Sequence, residues 1–297
     1  FHTDGSFSPF RKYEPDTLIP QGEEDEIGIV LSETCFYAEA GGQVGDRGRI
    51  KSPRGEFVVG RTEKLAECVI HWGRFAEGIF KIRDEVAATV SEDRDATKKN
   101  HTATHLLQWA LREVLGKSVA QQGSFVGPDY LRFDFTCPAA PSAEQLKKVE
   151  DLVREKIAAD LPVIWKVMPK DEALKIGAMA LFGEKYGADV RVVAIGIDDE
   201  GKLAEAFSRE LCGGTHVDRL GVIGGFKIIK QESISAGVRR ITALTGRGLA
   251  RYLEQRSDIV DELSARLKVP AEALVERLEQ LLDENKRLHK QLKSASQ

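Results

Sequence analysis

The amino-acid sequence predicts an α+β protein in which a small antiparallel β-barrel precedes a mixed α+β domain and a helical tail. Short β-like runs separated by turn residues fill the region up to residue 90. Helical and strand-like segments then mix without a regular βαβ rhythm, and from Gly248 the pattern is helical. We place the domains at residues 1–92, 93–246 and 247–297. The 297 residues can bury more than one core.

The first domain begins with a leading segment, residues 1 to about 22, that holds few apolar side chains. Apolar runs bounded by Gly, Pro or charged residues then predict the strands of a small antiparallel barrel or sandwich. These runs are Ile27–Val30, Phe57–Val59, Cys68–Trp72, Ile79–Ile82 and Val86–Val90.

A glycine-rich stretch, residues 34–48, lies within this domain. Its glycines predict turns and a bulge, which is the interpretation that the pattern alone favours. The Gly-Lys-Ser/Thr ending and the G-x-G-x-x-G spacing of phosphate-binding loops are both missing. The functional alternative is a bare backbone surface that a substrate can approach closely.

Two ligand-spaced pairs of residues stand out in the mixed domain. His101 and His105 lie in an apolar-periodic run, so they project from one face of a predicted helix that ends at Gly116. Cys212 and His216 flank a Gly-Gly pair, which lets a tight loop bring both side chains to one point. Three imidazoles and a thiolate suit a tetrahedral zinc site. The chain has only six His and four Cys, so two such pairs favour zinc over chance spacing and a packed cysteine.

The remaining elements of the mixed domain follow from periodicity. Ser142 is the expected N-cap of an amphipathic helix that ends at Ala159, and a short helix is expected over Asp171–Ile176. The predicted strands are Leu131–Phe135, Pro162–Met168, Val190–Ile197, Phe226–Lys230 and Gly237–Leu244.

The tail, residues 247–297, carries a heptad seam. Apolar residues and one polar Asn recur at alternating four- and three-residue steps. They are Leu274, Leu278, Leu281, Asn285, Leu288 and Leu292. An earlier apolar run ends at Pro270, so the two helices can fold back as a hairpin, which the short seam favours. The alternative is a homodimer formed through the C-terminal helix.

The composition and charge of the chain argue against several classes of protein. With 42% hydrophobic and 30% charged residues, the chain is typical of soluble globular proteins. No apolar run has the length of a membrane span, no signal-peptide core opens the chain, and scattered cysteines favour the reducing cytoplasm. A net charge of −4 argues against sequence-blind coating of nucleic acid but allows a local basic patch. Because Phe1 stands where an initiator Met is expected, we expect an excised fragment or a processed chain.

Several segments, in order along the chain, resemble the editing domain of alanyl-tRNA synthetase. They are HTATHLL from His101, QQGSF from Gln121, LRFDF from Leu131, LFGEKY from Leu181, CGGTH from Cys212 and GVRRI from Gly237. FYAEAGGQVGD from Phe36 resembles the glycine-rich motif of the preceding barrel, so the resemblance runs over about residues 24–246. The threonyl-tRNA synthetase editing domain shares the zinc pairs. The Gly-Gly of the CGGTH loop and the glycine-rich barrel motif favour the editing domain of alanyl-tRNA synthetase instead. No segment resembles the class II aminoacylation domain, so we do not expect this chain to charge tRNA.

The resemblance implies a zinc-dependent deacylase that hydrolyses the aminoacyl ester of Ser-tRNA(Ala), and also of Gly-tRNA(Ala). It implies that the two ligand pairs hold Zn²⁺, and it puts Thr104 and Gln121 in the editing pocket. Thr34 is a further candidate for recognising the serine hydroxyl. The implied partners are mischarged tRNA(Ala) and the remainder of the synthetase, in the cytoplasm.

A separate hydrolytic site has a physical reason. A pocket shaped for alanine rejects serine, which adds one hydroxyl, by only about a hundredfold. A pocket built to hydrogen-bond that hydroxyl rejects alanine by roughly 10⁴ or more, because its polar groups would stay unpaired. Polar side chains are therefore expected beside the metal.

The role of zinc stays open at this point. Four protein ligands fill a tetrahedron, whereas catalytic zinc keeps one position open. One ligand could be loose, the shell could expand, or zinc could hold the amino acid while a separate water attacks. The Glu base of His-Glu-x-x-His peptidases is missing, since Thr102 stands there. A non-catalytic, zinc-stabilised module for RNA binding and oligomerisation is the alternative function, and for Thr104 the alternative role is a hydrogen bond to its own helix.

Five basic residues are candidates for holding the phosphates of the tRNA end. Arg94, Lys98 and Lys99 lie at or before the metal helix, and Arg239 and Arg240 lie on a late strand. Such residues are most often solvated surface. If they flank the pocket, RNA binding should weaken steeply with salt.

Overall fold

The computed structural model describes residues 17–18, 26–180 and 186–295. The predicted leading segment and residues 181–185 of the LFGEKY motif therefore lie outside the described residues, apart from two residues of the former. The chain divides into two units, residues 1–246 and 247–297. No helix of the described residues is long and apolar enough to cross a membrane.

The N-terminal region forms antiparallel sheets. A short pair joins β1 (Thr17–Leu18) to β6 (Phe80–Lys81). The main sheet has the order β2-β5-β4-β3-β7 and is built from β2 (Ile27–Val30), β3 (Gly48–Ser52), β4 (Gly55–Leu65), β5 (Cys68–Gly78) and β7 (Ala87–Val90). Phe57 and Ile50 are fully buried in its core.

The predicted barrel is an open sheet in the part of the chain that the structure describes, and this prediction is corrected. A barrel closes only when its first and last strands pair. Here the edge strands β2 and β7 are separated by three others, and each pairs with one neighbour. The glycine-rich stretch between β2 and β3 contributes turns and isolated bridges, such as Ala40 with Gln43, instead of a further long strand.

A second antiparallel sheet, β13-β14-β9-β8, carries the main core. Its strands are β8 (Gln121–Val126), β9 (Leu131–Thr136), β13 (Phe226–Ser235) and β14 (Val238–Thr245). Helices α1 (Asp93–Leu115) and α2 (Ala143–Ala158) pack on each other and on this sheet. The alternation predicted for β9 is confirmed, since Leu131, Phe133 and Phe135 are all fully buried.

Helix α1 positions the site. It begins at Asp93, so the charged lead-in is part of the helix, and it ends before Gly116 as predicted. One face buries Ala103, Leu106, Leu107, Ala110 and Leu111 completely, which fixes the rotation of the helix. In α2 the predicted cap is confirmed: Ser142 and Gln145 form a reciprocal capping box.

A third sheet, β10-β11-β12, leads to the cysteine loop. It consists of β10 (Val163–Pro169), β11 (Asp189–Ile195) and β12 (Ser208–Leu211), with the short helix α3 (Lys170–Lys175) after β10. Strand β11 is buried, as predicted for Val190–Ile197. The sequence prediction omitted β1, β3, β8 and β12.

The tail consists of α4 (Gly246–Leu267) and α5 (Leu274–Ala295). Neither helix has a buried side chain among its described residues. On the heptad seam Leu278 is 53% exposed and Leu288 is 48% exposed. The helices exist as predicted, but the packed hairpin is not confirmed, and the homodimer stays a prediction.

Candidate metal centre and pocket

The two predicted ligand pairs converge at one point. Ligand atoms of His101, His105, Cys212 and His216 all lie within 4.8 Å of one another. The Cys212 Sγ lies 3.4 Å from His101 Nε2 and 3.3 Å from His216 Nε2. One face of α1 supplies the first pair, and the loop after β12 supplies the second. Three imidazole nitrogens and a thiolate are the donor set of a tetrahedral zinc site.

Gln43 connects the helix pair to the loop pair. This fully buried residue belongs to the glycine-rich stretch. Its Oε1 lies 2.6 Å from His101 Nδ1 and accepts the Thr215 backbone N–H at 2.8 Å, while its Nε2 donates to Thr215 Oγ1 at 3.0 Å. An acceptor at Nδ1 keeps the proton there, which leaves Nε2 for a metal ion.

The other two histidines have similar supports. Glu210 Oε2 lies 2.9 Å from His105 Nδ1, and Thr102 Oγ1 lies 3.2 Å from His216 Nδ1. Both supporting side chains are buried. Each ring thus has a hydrogen-bond partner at Nδ1, as metal-ligating histidines almost always do.

Gly214 lets the cysteine loop pass close to a candidate ligand, and Gly42 lets the glycine-rich stretch pack against Ser124. A Cβ added to Gly214 would lie 2.0 Å from His101 Cε1, a distance that atoms never adopt. A Cβ added to Gly42 would lie 2.3 Å from Ser124 Oγ. Gly213 is different, because a Cβ there would meet nothing within 4 Å. At Gly42 and Gly214 the missing side chain therefore allows close packing within the protein, while the approach of a substrate to the glycine-rich stretch stays a prediction.

The electrostatics favour a thiolate. Burial would raise the pKa of Cys212, but the neighbouring His101 and His216 hold it well below its ordinary value. Burial lowers the pKa of His216 to about 3, so this ring is neutral at pH 7. Burial alone would lower the pKa of His105, but the Glu210 carboxylate and Cys212 raise this pKa to about 10. Metal binding at His105 therefore releases a proton.

A small cavity of about 150 Å³ opens beside the cluster, and three of the four candidate ligands, His101, His105 and Cys212, line it. Thr104 and Gln121, both predicted for the pocket, line it together with Ser124. The Thr104 hydroxyl donates to the Asn100 carbonyl at 2.9 Å, which is the helix-backbone bond considered as its alternative role. Since its hydrogen is used, this hydroxyl can only accept a hydrogen bond from a guest. The other lining residues are Tyr37, Ala40, Gly41, Tyr186, Glu210, Leu211, Gly213 and Gly214.

Thr34 lies apart from the other two predicted pocket residues. It does not line the cavity, and its Oγ1 is 2.7 Å from Nε2 of the fully buried His71. The same oxygen accepts the Phe36 N–H at 3.1 Å. These contacts belong to the five-stranded sheet, so we leave Thr34 out of the proposed pocket.

Both late arginines are engaged within the chain. Arg240 forms a two-pronged ion pair with Asp134, at 2.7 and 2.8 Å. Arg239 donates to the carbonyl oxygens of Cys137 and Pro138 at 3.2 and 2.8 Å. These bonds hold β14 to β9 and to the turn after it, and they leave the two guanidinium groups little freedom to contact phosphate.

The three basic residues of α1 divide into two groups. Arg94 is held by the Asp46 carboxylate and by the Cys35 carbonyl, so it joins the glycine-rich stretch to α1. Lys98 and Lys99 are half-buried and form no ion pair with any other residue in the described ranges. They remain the candidates for phosphate contact.

Gln43, Glu210 and Ser124 were missed by sequence reasoning. For Glu210 a signal existed, because residues two apart in a strand share a face and Glu210 precedes Cys212 by two. Gln43 gave no such signal, since its stretch has no periodicity. Its partners lie 58 and 172 residues away along the chain.

Comparison with known proteins agrees with the resemblance to alanyl-tRNA synthetase, but it corrects the prediction that no segment resembles a class II synthetase, since one such family model matches the N-terminal region. The family "Threonyl and Alanyl tRNA synthetase second additional domain" matches residues 190–242, and "tRNA synthetases class II (A)" matches residues 13–94. The alanine–tRNA ligase of Thermus thermophilus is 48% identical over 280 residues, which cover 94% of this chain and 31% of that protein. Those of Rhizobium johnstonii and Chloroflexus aurantiacus are 46% and 43% identical, covering 91% and 94% of the chain but 31% and 32% of their own lengths. The chain therefore belongs to the alanyl-tRNA synthetase family and spans about a third of the length of the relatives it matches.

Proposed function

We propose that this chain is an editing deacylase, which hydrolyses the ester of tRNA(Ala) mischarged with serine or glycine. A water oxygen adds to the ester carbonyl carbon, and the bond from that carbon to the ribose oxygen breaks. The products are the free amino acid and tRNA with a free terminal hydroxyl. The observation that carries the proposal is the cavity of about 150 Å³, which combines the His/Cys cluster with hydroxyl and amide side chains.

The polar lining suits a serine side chain. The Thr104 oxygen is available as an acceptor for the serine hydroxyl. Gln121 Nε2 and Ser124 Oγ are 3.4 Å apart, a long hydrogen bond that a guest can replace at small cost. Alanine would leave these groups unpaired, so correctly charged tRNA is spared. Glycine would leave the same groups unpaired, so the polar lining supports serine as the substrate, and glycine is proposed on the resemblance to the family alone.

Zinc fits the donor set, with His101, His105, Cys212 and His216 as ligands. When bound there, zinc would supply a Lewis acid close to the ester. The three Nδ1 partners would hold the imidazole rings in place, and the buried residues Leu211 and Gly214 form part of the cavity wall. No described side chain in the cavity combines the position and the freedom of a general base, so we assign none.

The proposal is tested by deacylation of Ser-tRNA(Ala) and Ala-tRNA(Ala). Cys212→Ala and His105→Ala should lose both bound zinc and serine-specific hydrolysis, whereas Cys68→Ala, at an exposed cysteine, should keep both. Full hydrolysis by a variant that has lost zinc would contradict a role for the metal. Equal persistence of the two substrates with the unaltered chain would favour the alternative, a zinc-stabilised RNA-binding module.

A matched pair of threonines tests serine recognition. Thr104 and Thr97 lie on the same helix, and each donates to the carbonyl four residues earlier at 2.9 Å. Only Thr104 lines the cavity. Thr104→Val should reduce serine-over-alanine selectivity by roughly tenfold, the effect of one lost hydrogen bond of about 1–2 kcal/mol. Thr97→Val should leave selectivity unchanged while making the same change to the helix.

The whole tRNA and the rest of a synthetase are the proposed partners. Lys98 and Lys99 are placed on α1 before the ligand pair, and we expect them to contact phosphates of the tRNA end. Replacing both by Gln should weaken tRNA binding and reduce its salt dependence. Arg240→Gln should instead lower stability, because it leaves Asp134 without its partner.

A further inference from the structure

Outside the pocket, an exposed tryptophan is stacked on an arginine that contacts the metal loop. Trp165, on β10, is 54% exposed. The guanidinium carbon of Arg191 lies 4.6 Å from the centre of its ring. Nη1 of the same arginine donates to the carbonyl of Gly214 at 2.5 Å, between the two loop ligands. A single arginine therefore joins the tryptophan to the loop that holds Cys212.

Strand register explains this arrangement. Val167 is opposite Arg191 in the β10–β11 pair, and the Cys212 N–H bonds to the Arg191 carbonyl. Side chains directly opposite one another in an antiparallel pair share a face of the sheet. Trp165 is likewise opposite Val193, which is opposite Glu210, a lining residue of the pocket. One face of this sheet thus leads from the metal pocket to the exposed ring.

The chemistry beside the ring favours an uncharged, flat ligand. A cavity of about 440 Å³ is lined by Trp165, Lys166, Val167, Glu200 and Asp218, together with Val163 and Ile164. Lys166 Nζ lies 3.9 Å from a Glu200 carboxylate oxygen, so Asp218 leaves the lining with a net negative charge that disfavours a phosphate. The carboxylates can accept hydrogen bonds from the exocyclic amino groups of adenine or cytosine, as acidic side chains do for bases. The cavity is large enough for a nucleoside, whereas the pocket of about 150 Å³ is not.

We propose that Trp165, backed by Arg191, is a stacking platform for an unpaired nucleobase at the tRNA 3′ end. The proposal rests on the proposed function, because it assumes that the ester of the terminal adenosine enters the metal pocket. A base carries a flat π-face whatever its identity, so an exposed indole binds it without reading sequence. The arginine beneath fixes the ring and leaves its exposed side for the base.

The test measures RNA binding without any chemistry. The probe is a fluorescent hairpin RNA with a short single-stranded 3′ end that terminates in adenosine, titrated with the full chain at fixed salt. Trp165→Ala should raise Kd by roughly 5- to 150-fold, the range for loss of one stacked base. Trp165→Phe should restore most of the affinity because it keeps an aromatic face. Leu174→Ala, at a similarly exposed apolar residue of α3, is the matched control and should bind like the unaltered chain.

A second probe identifies the contact. In the same hairpin with abasic ribose at its unpaired positions, Trp165→Ala should have no further effect, because the contact is already missing. Additive losses would mean that the ring contacts something else, such as a protein partner, and would overturn the platform. Unchanged Kd in Trp165→Ala, or no binding by the unaltered chain at millimolar hairpin, would overturn it too. If the binding pattern holds but no deacylation is found, the platform stands and the proposed function fails.

Discussion

Replacement of Gln43 by alanine should weaken zinc binding although Gln43 is not a ligand. Its Oε1 is the acceptor for both His101 Nδ1 and the Thr215 N–H, at 2.6 and 2.8 Å. Alanine leaves both donors unpaired where the glutamine had been fully buried. Since an unpaired buried donor costs about 1–3 kcal/mol, and since partners of metal-bound histidines typically contribute 10–100-fold in affinity, we expect roughly a 10–100-fold rise in the zinc Kd.

Competition with a zinc-binding dye measures this Kd directly. Gln43→Glu is the informative second variant, because a carboxylate keeps the acceptor for both N–H groups and should retain most of the affinity. Gln255→Ala, at an exposed position of α4, is the control for the loss of an amide. Zinc affinity within twofold of the unaltered chain for Gln43→Ala would refute the reasoning that the Nδ1 partner orients His101. So would equal losses in Gln43→Ala and Gln43→Glu.

Gly214→Ala should cut zinc affinity at least tenfold, because its Cβ would overlap a ligand ring, whereas Gly213→Ala should keep zinc bound; dye competition measures both. Glu210→Gln should flatten the pH dependence of zinc affinity at pH 7–9, because it removes the carboxylate that raises the pKa of His105 to about 10. A slope equal to that of the unaltered chain would contradict this prediction. Burial lowers the pKa of His71 from 6.5. The free energy of unfolding of the zinc-loaded protein should therefore decrease as pH falls below about 6.5, by at most about 1.4 kcal/mol per pH unit. Denaturant unfolding at pH 7.5 and 5.5 should show a smaller difference in His71→Gln.

The sign of the His71 effect follows from linkage. The folded pKa is lower than the unfolded value of about 6.5, so the unfolded chain binds more protons between the two values. Stability therefore rises with pH across that window and is lost as pH falls through it. The ring is fully buried, with its nitrogens 2.9 Å from the Ile29 carbonyl and 2.7 Å from Thr34 Oγ1. These contacts serve the sheet, and we expect His71→Gln to leave zinc affinity unchanged.

Local spacing was enough to select the four side chains that the structure brings together, because each pair is encoded within a few residues; that they hold zinc stays a prediction. Two histidines one helical turn apart share a face wherever the helix packs, and a Gly-Gly loop returns on itself without help from other elements. The capping box at Ser142 and the alternation of Leu131–Phe135 are local in the same sense, and both are confirmed. Such features do not depend on distant contacts.

Features that depend on distant pairing were predicted less well. The barrel was wrong because closure is decided by the pairing of β2 with β7, which no local pattern specifies. Strand β8 was missed because Gln121–Val126 does not alternate apolar with polar, and β12 was missed because four residues are too few for a pattern. The role of Gln43 required the glycine-rich stretch and the cysteine loop to meet.

The residues of the candidate metal centre come from distant segments of the chain, so we expect zinc binding and folding to be coupled. The centre is assembled from the glycine-rich stretch, α1, β12 and the loop after it, which are far apart in sequence. No single segment holds more than two ligands, so an unfolded chain cannot bind zinc with the affinity of the folded one. Zinc binding is then coupled to the folding of residues 26–246, and the metal should raise the stability of the entire unit. Gln43 argues against a separate zinc subdomain, because this residue of the glycine-rich stretch is hydrogen-bonded both to the candidate ligand His101 on α1 and to the loop that carries Cys212 and His216.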